Sequence, residues 1–188
     1  VPWPLSYGMR HRQYHILKAL SALGQVDMVI FTRNKIDEIP SEIDSLCRNV
    51  WIQQVNVTST FRFPVAYLVE ILNSIYYWPI KRSLIQSKCL RPRVANFVGN
   101  IYYDVIWVEK LNNIAHSQHI NGKWKIMDFD DIQHFIIERT LKLKHRYNVK
   151  KYYLSLRAHR THMIEKRALR TFDKVLVCSD KDNRYLNS

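Results

Sequence analysis

Short apolar runs that are rich in β-branched and aromatic residues alternate along this chain with longer stretches of helical periodicity. The apolar runs occupy residues 26–32, 50–57, 103–109, 123–128 and 174–179. Runs of this length with little polar interruption are typical of parallel strands that are covered on both faces. Strands that alternate with helices therefore predict an α/β fold, a doubly wound parallel sheet with helices on both faces.

Helical periodicity is clearest near the start of the chain. Apolar residues recur at helical spacing from Tyr14 to Leu23, and Gly24 follows as a C-terminal stop, so a helix is predicted over residues 10–23. Ser41 is predicted to cap a second, short helix. Longer helices are predicted over residues 64–77, 83–98, 131–146 and 150–171.

The length of 188 residues and the hydrophobic content of 47% fit one domain over residues 1–188. The chain opens on loop-like residues, VPWPLSYG, with no strand ahead of them, so we expect the first strand of the domain to be lacking. It closes at Ser188, where a strand leads into a new helix, and a compact α/β domain has no physical reason to end there. We therefore expect a second, C-terminal domain that is absent from this sequence.

Cysteine usage and hydropathy exclude some classes of protein. Cys47, Cys89 and Cys178 are odd in number and widely spaced, which predicts reduced, mostly buried thiols and no zinc motif. The longest apolar stretch, residues 63–80, is interrupted by polar residues, and a membrane span needs about 18 apolar residues in a row. No signal peptide is recognisable, so a cytoplasmic protein is expected.

The eight histidines do not predict a metal site. Two pairs share helix faces, His11 with His15 and His159 with His162. The sequence places no third ligand beside either pair, and zinc sites need at least three protein ligands. We therefore expect no bound metal.

The net charge of +13 favours a polyanionic partner, which is nucleic acid, an anionic lipid surface or a phosphorylated substrate. Most of the charge lies in two zones that are predicted to be helical, residues 81–93 and 139–174. No helix-turn-helix, RNA-binding strand motif or zinc-finger spacing accompanies them, so nucleic-acid recognition has little support. A solvated basic helix face is the alternative for both zones.

The first basic zone follows directly on the apolar and aromatic residues 63–80. Aromatic and cationic residues side by side suit an anionic lipid interface. The cations that would contact such a surface are Lys81, Arg82, Lys88, Arg91 and Arg93. In the alternative interpretation, the apolar residues of this stretch form a buried helical stripe.

Ligands of doubly wound sheets bind beyond the carboxyl ends of the strands, which makes the residues after each strand candidates for a binding site. Ahead of the first helix, Tyr7, Gly8 and Arg10 lie in a turn where a glycine admits the close approach of a ligand. The helix N-terminus behind this turn offers free amides to an anion. An ordinary strand-to-helix turn would have the same sequence.

Charged residues follow the later strands. Glu109 and Lys110 come at the end of the third apolar run, where they either contact a ligand or are simply solvated. Asp128 ends the fourth run, where a carboxylate could accept a proton or orient a hydroxyl. Asp130 opens the next helix, and together with Gln133 it also fits a capping box.

Ser179 ends the last apolar run, in a polar turn that contains Asp182 and Asn183. It is a candidate binding residue and equally a candidate helix cap. The chain has no glycine-rich dinucleotide fingerprint and no phosphate-binding P-loop. A nucleotide, if used, is therefore not bound in the familiar way by these residues.

Five segments follow one another in a recognisable order: PWPLSYGMRHR, VDMVIFT, YDVIWVE, IMDFDDI, and Glu165 with Asp173 ahead of the strand KVLVCSD. This succession resembles the N-terminal domain of family 4 glycosyltransferases of the GT-B fold. It is most similar to bacterial sugar transferases of exopolysaccharide systems. The resemblance covers essentially the whole chain, and the final strand is its most specific part.

The resemblance implies a Rossmann-like N-terminal lobe that takes the acceptor and faces a C-terminal lobe that grips the nucleotide-sugar. The implied enzyme is a hexosyltransferase of polysaccharide biosynthesis. It moves a sugar from a nucleoside diphosphate sugar to a sugar or lipid-linked acceptor, with retention of configuration and without a cofactor or an essential metal. The 188-residue chain alone would then be inactive, and the whole protein would lie on the cytoplasmic face of the cell membrane.

Site residues carry over from the family by position. Tyr7 and Gly8 would lie near the diphosphate or the acceptor. Asp128 would occupy the catalytic strand end where many relatives keep a histidine beside the reacting sugar, and a carboxylate cannot be assumed to act as an imidazole does. The alternative function is a basic Rossmann-like module without catalysis, which binds membranes or nucleic acid.

Overall fold

The computed structural model describes residues 2–3, 8–32, 35–54, 93–142 and 149–186. The chain divides into two compact units, Val1–Ser59 and Thr60–Ser188. Each unit contains parallel strands and helices, so the predicted α/β class and the parallel strand direction are confirmed. The strands of the described ranges form two small sheets. The predicted helix over residues 64–77 and most of the basic zone at 81–93 lie outside the described residues.

The described residues of the first unit form two helices and two strands in alternation: α1 (Gly8–Leu23), β1 (Asp27–Thr32), α2 (Ser41–Asp44) and β2 (Asn49–Gln54). β1 and β2 pair in parallel along their full length. Tyr14, Leu17 and Ile43 form the buried core, on which the partly buried Met28 and Leu46 pack. The apolar stripe of α1 is thus the surface that this unit buries.

Polar contacts fix the helices and strands of the first unit. The Tyr14 hydroxyl of α1 donates a hydrogen bond to the Glu42 carboxylate of α2. The Arg48 guanidinium pairs with Asp27 at the start of β1, and the Arg48 backbone N–H donates to the Val26 carbonyl at 2.7 Å. The Tyr14 contact joins the two helices, and the Arg48 contacts hold the residue that precedes β2 against the start of β1.

Two helix-end predictions for this unit had different outcomes. α1 ends at Leu23 as predicted, and the Gly24 N–H donates to the Leu20 carbonyl at 3.2 Å. Leu23 is 86% exposed, so the buried stripe does not extend to it. Ser41 is not the cap of α2, because it is the first helical residue and Pro40, which has no side-chain donor or acceptor, takes the cap position.

In the described part of the second unit, three parallel strands form one sheet and lie side by side in chain order. Residues 93–98 are helical and precede the sheet. The elements that follow are β3 (Tyr103–Glu109), a 3-10 turn (Leu111–Asn113), α3 (Ile114–Ser117), β4 (Gly122–Phe129), α4 (Gln133–Lys142), α5 (Val149–Thr171), β5 (Lys174–Val177) and α6 (Asp180–Leu186).

One face of this sheet packs in the core of the second unit. Val108, Met127 and Val175 are register partners across the three strands, and Met127 is fully buried. Ala168 of α5 and Phe172, which directly follows this helix, belong to the same core cluster. α5 therefore covers this face of the sheet, in the way that crossover helices cover parallel strands.

The opposite face of the sheet is more open. Val105 and Trp124 are register partners on it, and they are 40% and 45% exposed. Leu176, on the same face of β5, is 39% exposed. Within the described part of the chain, the packing of a doubly wound sheet is therefore seen on one face.

The segment Phe172–Asp173, which belongs to the closing motif of the sequence, has a structural role. Phe172 is in the core. The Asp173 carboxylate accepts the Lys125 backbone N–H at 2.7 Å, and the Asp173 N–H donates to the Lys125 carbonyl at 2.9 Å. These two hydrogen bonds attach the turn between α5 and β5 to the middle of β4.

No helix in the described ranges is both long enough and apolar enough to cross a membrane. The apolar residues 63–80 lie outside these ranges.

Candidate functional site

Five of the sequence-predicted site residues meet at the carboxyl ends of β3, β4 and β5. We call this group, Glu109, Lys110, Asp128, Asp130 and Ser179, the polar edge. Glu109 and Asp128 are register partners, and the Lys110 N–H approaches the Asp128 carbonyl at 3.4 Å. Cys178, which precedes Ser179, has its sulfur 3.9 Å from Asp130 Oδ1. The polar edge therefore runs without a break across the three strands.

Residues of the polar edge differ in exposure. Asp128 is 4% exposed, whereas Glu109, Lys110 and Asp130 are half-buried and Ser179 is exposed. A substrate at this edge would therefore meet Glu109, Lys110 and Asp130 more readily than Asp128.

Lys110 has a backbone conformation that is rare for a residue with a side chain, with φ 66° and ψ 137°. A non-glycine residue held in such a region costs of the order of 1–3 kcal/mol. The surrounding turn holds it in place, because the Asn113 side chain donates to the Glu109 carbonyl at 2.7 Å and the Asn113 N–H donates to the Lys110 carbonyl at 3.0 Å. Strain of this kind often marks a functional site.

The Lys110→Gly variant is expected to have a free energy of unfolding about 1 kcal/mol higher than that of the Lys110→Ala variant. At most loop positions the order is reversed, because alanine loses less backbone entropy on folding. Positive φ inverts the order, since only glycine adopts it without steric cost. Urea unfolding of Lys110→Gly and Lys110→Ala measures the difference, and a more stable alanine variant would show that the strain is absent.

Helix caps at the polar edge did not all follow the sequence. α4 begins at Gln133, so Gln133 is not three residues inside the helix and the capping box with Asp130 is wrong. Ser179 does act as a cap, because its Oγ accepts the Asp182 N–H at 3.2 Å and contacts Asp182 Oδ2 at 2.7 Å. This cap accounts for Ser179 without a ligand.

The remaining predicted site residues belong to the first unit. Tyr7 lies outside the described residues. Gly8 is the exposed first residue of α1, and a methyl group added there would meet no atom within 4 Å. Arg10 is half-buried on the same helix. The packing of the described chain therefore does not itself require a glycine at position 8.

The cysteines are less buried than predicted. Cys178 is exposed and Cys47 is half-buried, with no disulfide between these two described cysteines, and Cys89 lies outside the described residues. Burial raises the pKa of the Cys47 thiol to about 11, and the nearby carboxylates of Asp44 and Asp27 add to the effect. Cys47 is thus a poor nucleophile at neutral pH.

A second group of polar side chains meets where α4, α5 and α6 pack. His134, in the first turn of α4, is 2% exposed, and Glu165 of α5 is 1% exposed. The Glu165 carboxylate pairs with His134 Nδ1 and accepts the His134 backbone N–H at 3.3 Å. The pair joins α5 to the N-terminus of α4, where backbone N–H groups have no helical partner.

His162 and Tyr185 complete this group. The Tyr185 hydroxyl lies 3.0 Å from His162 Nδ1, and the ring centroids of His134 and His162 are 4.7 Å apart. His162 and Glu165 are three residues apart on α5, which places them on one face of the helix. We call His134, His162 and Glu165 the buried cluster. One ligand-type atom from each lies within 4.8 Å of the others.

Burial perturbs the titration of the buried cluster. It raises the pKa of the Glu165 carboxyl, and the hydrogen bond and charge of His134 offset part of this effect. It also lowers the pKa of His162 from the ordinary 6.5. Positive charges on His134, Lys166 and His159 lower the His162 pKa further, while Glu138 opposes them.

His162 is expected to lower the free energy of unfolding as the pH drops through the window just below 6.5, whereas Glu165, whose pKa is raised, acts in the opposite direction. In that window the folded protein binds fewer protons at His162 than the unfolded chain does, because the folded pKa is lowered, so acid favours unfolding. Urea unfolding at pH 7.5 and 5.5, in chelator-treated buffer, measures this dependence. His162→Gln should remove the contribution of His162, and His159→Gln, which removes only one of the smaller causes of the His162 shift, should change the dependence much less.

His134 was missed by the sequence interpretation, and Glu165 was noted only as part of the closing motif. A single histidine in a helical segment gives no signal of burial. The one available signal was the spacing of His162 and Glu165, which places two ligand-type side chains on one helix face. The prediction of no metal rested on the lack of a third ligand beside the histidine pairs, and the fold brings His134 and Glu165 to His162.

Comparisons with protein-family models, with curated proteins and with solved structures found no match for this chain.

Proposed function

We propose that this chain is the acceptor-side lobe of a glycosyltransferase, and that β3-β4-β5 belongs to a doubly wound, Rossmann-like sheet. The observation that carries the proposal is the polar edge. Ligands of parallel α/β sheets bind beyond the carboxyl ends of the strands, and there this sheet presents carboxylates and an ammonium group. Carboxylates accept hydrogen bonds from sugar hydroxyls, and a cation suits a phosphate group.

The reaction would transfer a sugar from a nucleoside diphosphate sugar to an acceptor hydroxyl, with the donor held by a separate lobe. We assign the contact with the acceptor hydroxyl to Asp130, because it is half-buried. Asp128, the catalytic candidate, is 4% exposed and would act from the base of the polar edge beside Glu109. Lys110 and helix N-termini would stabilise the negative charge of the leaving diphosphate.

Saturation-transfer NMR of the purified chain with oligosaccharides of the exopolysaccharide type tests acceptor binding. We expect saccharide binding that Asp130→Asn and Lys110→Ala each weaken about tenfold, since a hydrogen bond to a charged group contributes roughly 1.5–3 kcal/mol. Asp104→Asn is the matched control, because Asp104 is exposed near the opposite, amino end of β3. Equal weakening by Asp104→Asn, or no saccharide binding at all, would refute the proposed acceptor site.

Transfer assays with labelled nucleoside diphosphate sugars test the proposal that the donor binds to a separate lobe. The 188-residue chain alone is expected to transfer no sugar, because donor binding is assigned to a separate lobe. Sugar transfer by this chain alone would contradict that assignment.

A further inference from the structure

We propose that the buried cluster of His134, His162 and Glu165 binds a divalent transition-metal ion, with zinc as the best match. Two imidazoles and one carboxylate are a ligand set that zinc uses in proteins. The cluster lies between α4 and α5, among residues that are not part of the polar edge. The proposal does not depend on sugar transfer.

The distances suit a metal ion. Ligand-type atoms of the three side chains lie within 4.8 Å of one another. Zinc binds nitrogen and oxygen at about 2.0–2.2 Å, so two ligands on opposite sides of an ion are about 4.2 Å apart, and less in a tetrahedral site. Side-chain shifts of about 1 Å would therefore close the cluster on an ion.

His134 and Glu165 already contact each other through ligand-type atoms. His134 Nε2 is buried and has no hydrogen-bond partner among the described residues. His134 Nδ1 is already engaged by the Glu165 carboxylate. Metal binding would replace this hydrogen bond, so that Nδ1 and a Glu165 carboxylate oxygen become ligands of the same ion.

The surroundings favour a fixed site. His162 is held by the Tyr185 hydroxyl at 3.0 Å, and the Tyr185 ring lies against His134 with a centroid distance of 4.9 Å. Because Glu165 is almost fully buried, a charge on its carboxylate is poorly solvated, and a divalent cation would compensate it. Metal binding would displace any proton shared by His134 and Glu165, so it should release protons and weaken at low pH.

Zinc titration of the chelator-stripped chain, in competition with a chromogenic chelator, tests the proposal. We expect one tight site per chain and a rise in the thermal midpoint of about 5 °C at saturating zinc. Cobalt in place of zinc should give the visible absorption of a low-coordinate site with nitrogen and oxygen ligands.

His162→Gln is the main variant, because His162 is only partly buried and the variant should fold, which circular dichroism checks. We expect it to lower zinc affinity at least about 100-fold, since losing even a residue that supports a ligand costs 10–100-fold. His159→Gln, exposed on the same helix, should bind as the unmodified chain does. The proposal is overturned if the unmodified chain binds no more tightly than His162→Gln, or if His159→Gln loses as much affinity.

Discussion

Replacing Glu165 by leucine is expected to lower the free energy of unfolding by about 3–5 kcal/mol in metal-free buffer. Glu165 is 1% exposed and bonds both the side chain and the backbone N–H of His134. Removing one partner of a buried pair leaves the other without compensation, and this loss exceeds what the intact pair contributes. Urea unfolding with chelator present measures the change.

Two further variants distinguish the loss of the His134–Glu165 pair from a simple loss of side-chain packing. Glu165→Gln keeps the shape and an oxygen that can accept from His134, so a smaller loss of about 1 kcal/mol is expected. Replacing His134 and Glu165 together by leucine should recover part of the loss, because apolar pairs often replace buried ion pairs without cost. Glu138→Leu, at an exposed position of α4, should change stability by less than about 0.5 kcal/mol. If Glu165→Leu lowered the free energy of unfolding no more than Glu138→Leu does, the stabilising role assigned to the His134–Glu165 pair would be refuted.

Met127→Ala is expected to destabilise the protein by about 2–5 kcal/mol, towards the upper end of that range. Met127 is fully buried at the centre of the β3-β4-β5 sheet, between Val108 and Val175. Truncation there removes the buried methylenes and leaves a cavity that the paired strands cannot close. Urea unfolding gives the magnitude.

Leu176→Ala is the matched control for the finding that the sheet face with Met127 is the one packed in the core. Leu176 lies on the other face of the same sheet and is 39% exposed. Because much of its side chain already contacts solvent, its truncation should cost less than half as much as Met127→Ala. Equal losses at the two positions would mean that both faces are packed alike.

Local patterns in the sequence were sufficient to predict the bounds of most of the strands. The run YDVIWVE coincides with β3 from its first residue to its last, and β1, β4 and β5 agree to within two residues at either end. Parallel pairing also followed from the apolar character of these runs. Strand periodicity depends on neighbouring residues in the chain, so it is readable without the fold.

Helix ends were harder to predict from the sequence, because several residue types can cap the same helix end. Ser41 and the pair Asp130–Gln133 both have cap-like sequences, yet α2 begins at Ser41 itself and α4 begins at Gln133. At α4 the N-terminal amide of His134 is bonded by Glu165, which is 31 residues away in the chain. A long-range partner thus took the place of the local one that the sequence suggested.

The sequence by itself determined the alternating strands, the α/β class and the residues that follow each strand, because these depend on short-range patterns and on the rule that parallel strands end at one edge. Only the tertiary structure decided that Asp128 is buried, that Lys110 has a positive φ, and that His134, His162 and Glu165 meet. Burial and strain depend on what packs nearby in space. A glutamate in a basic helix would be expected at the surface, and it is buried here because the fold sets a histidine and a helix N-terminus against it.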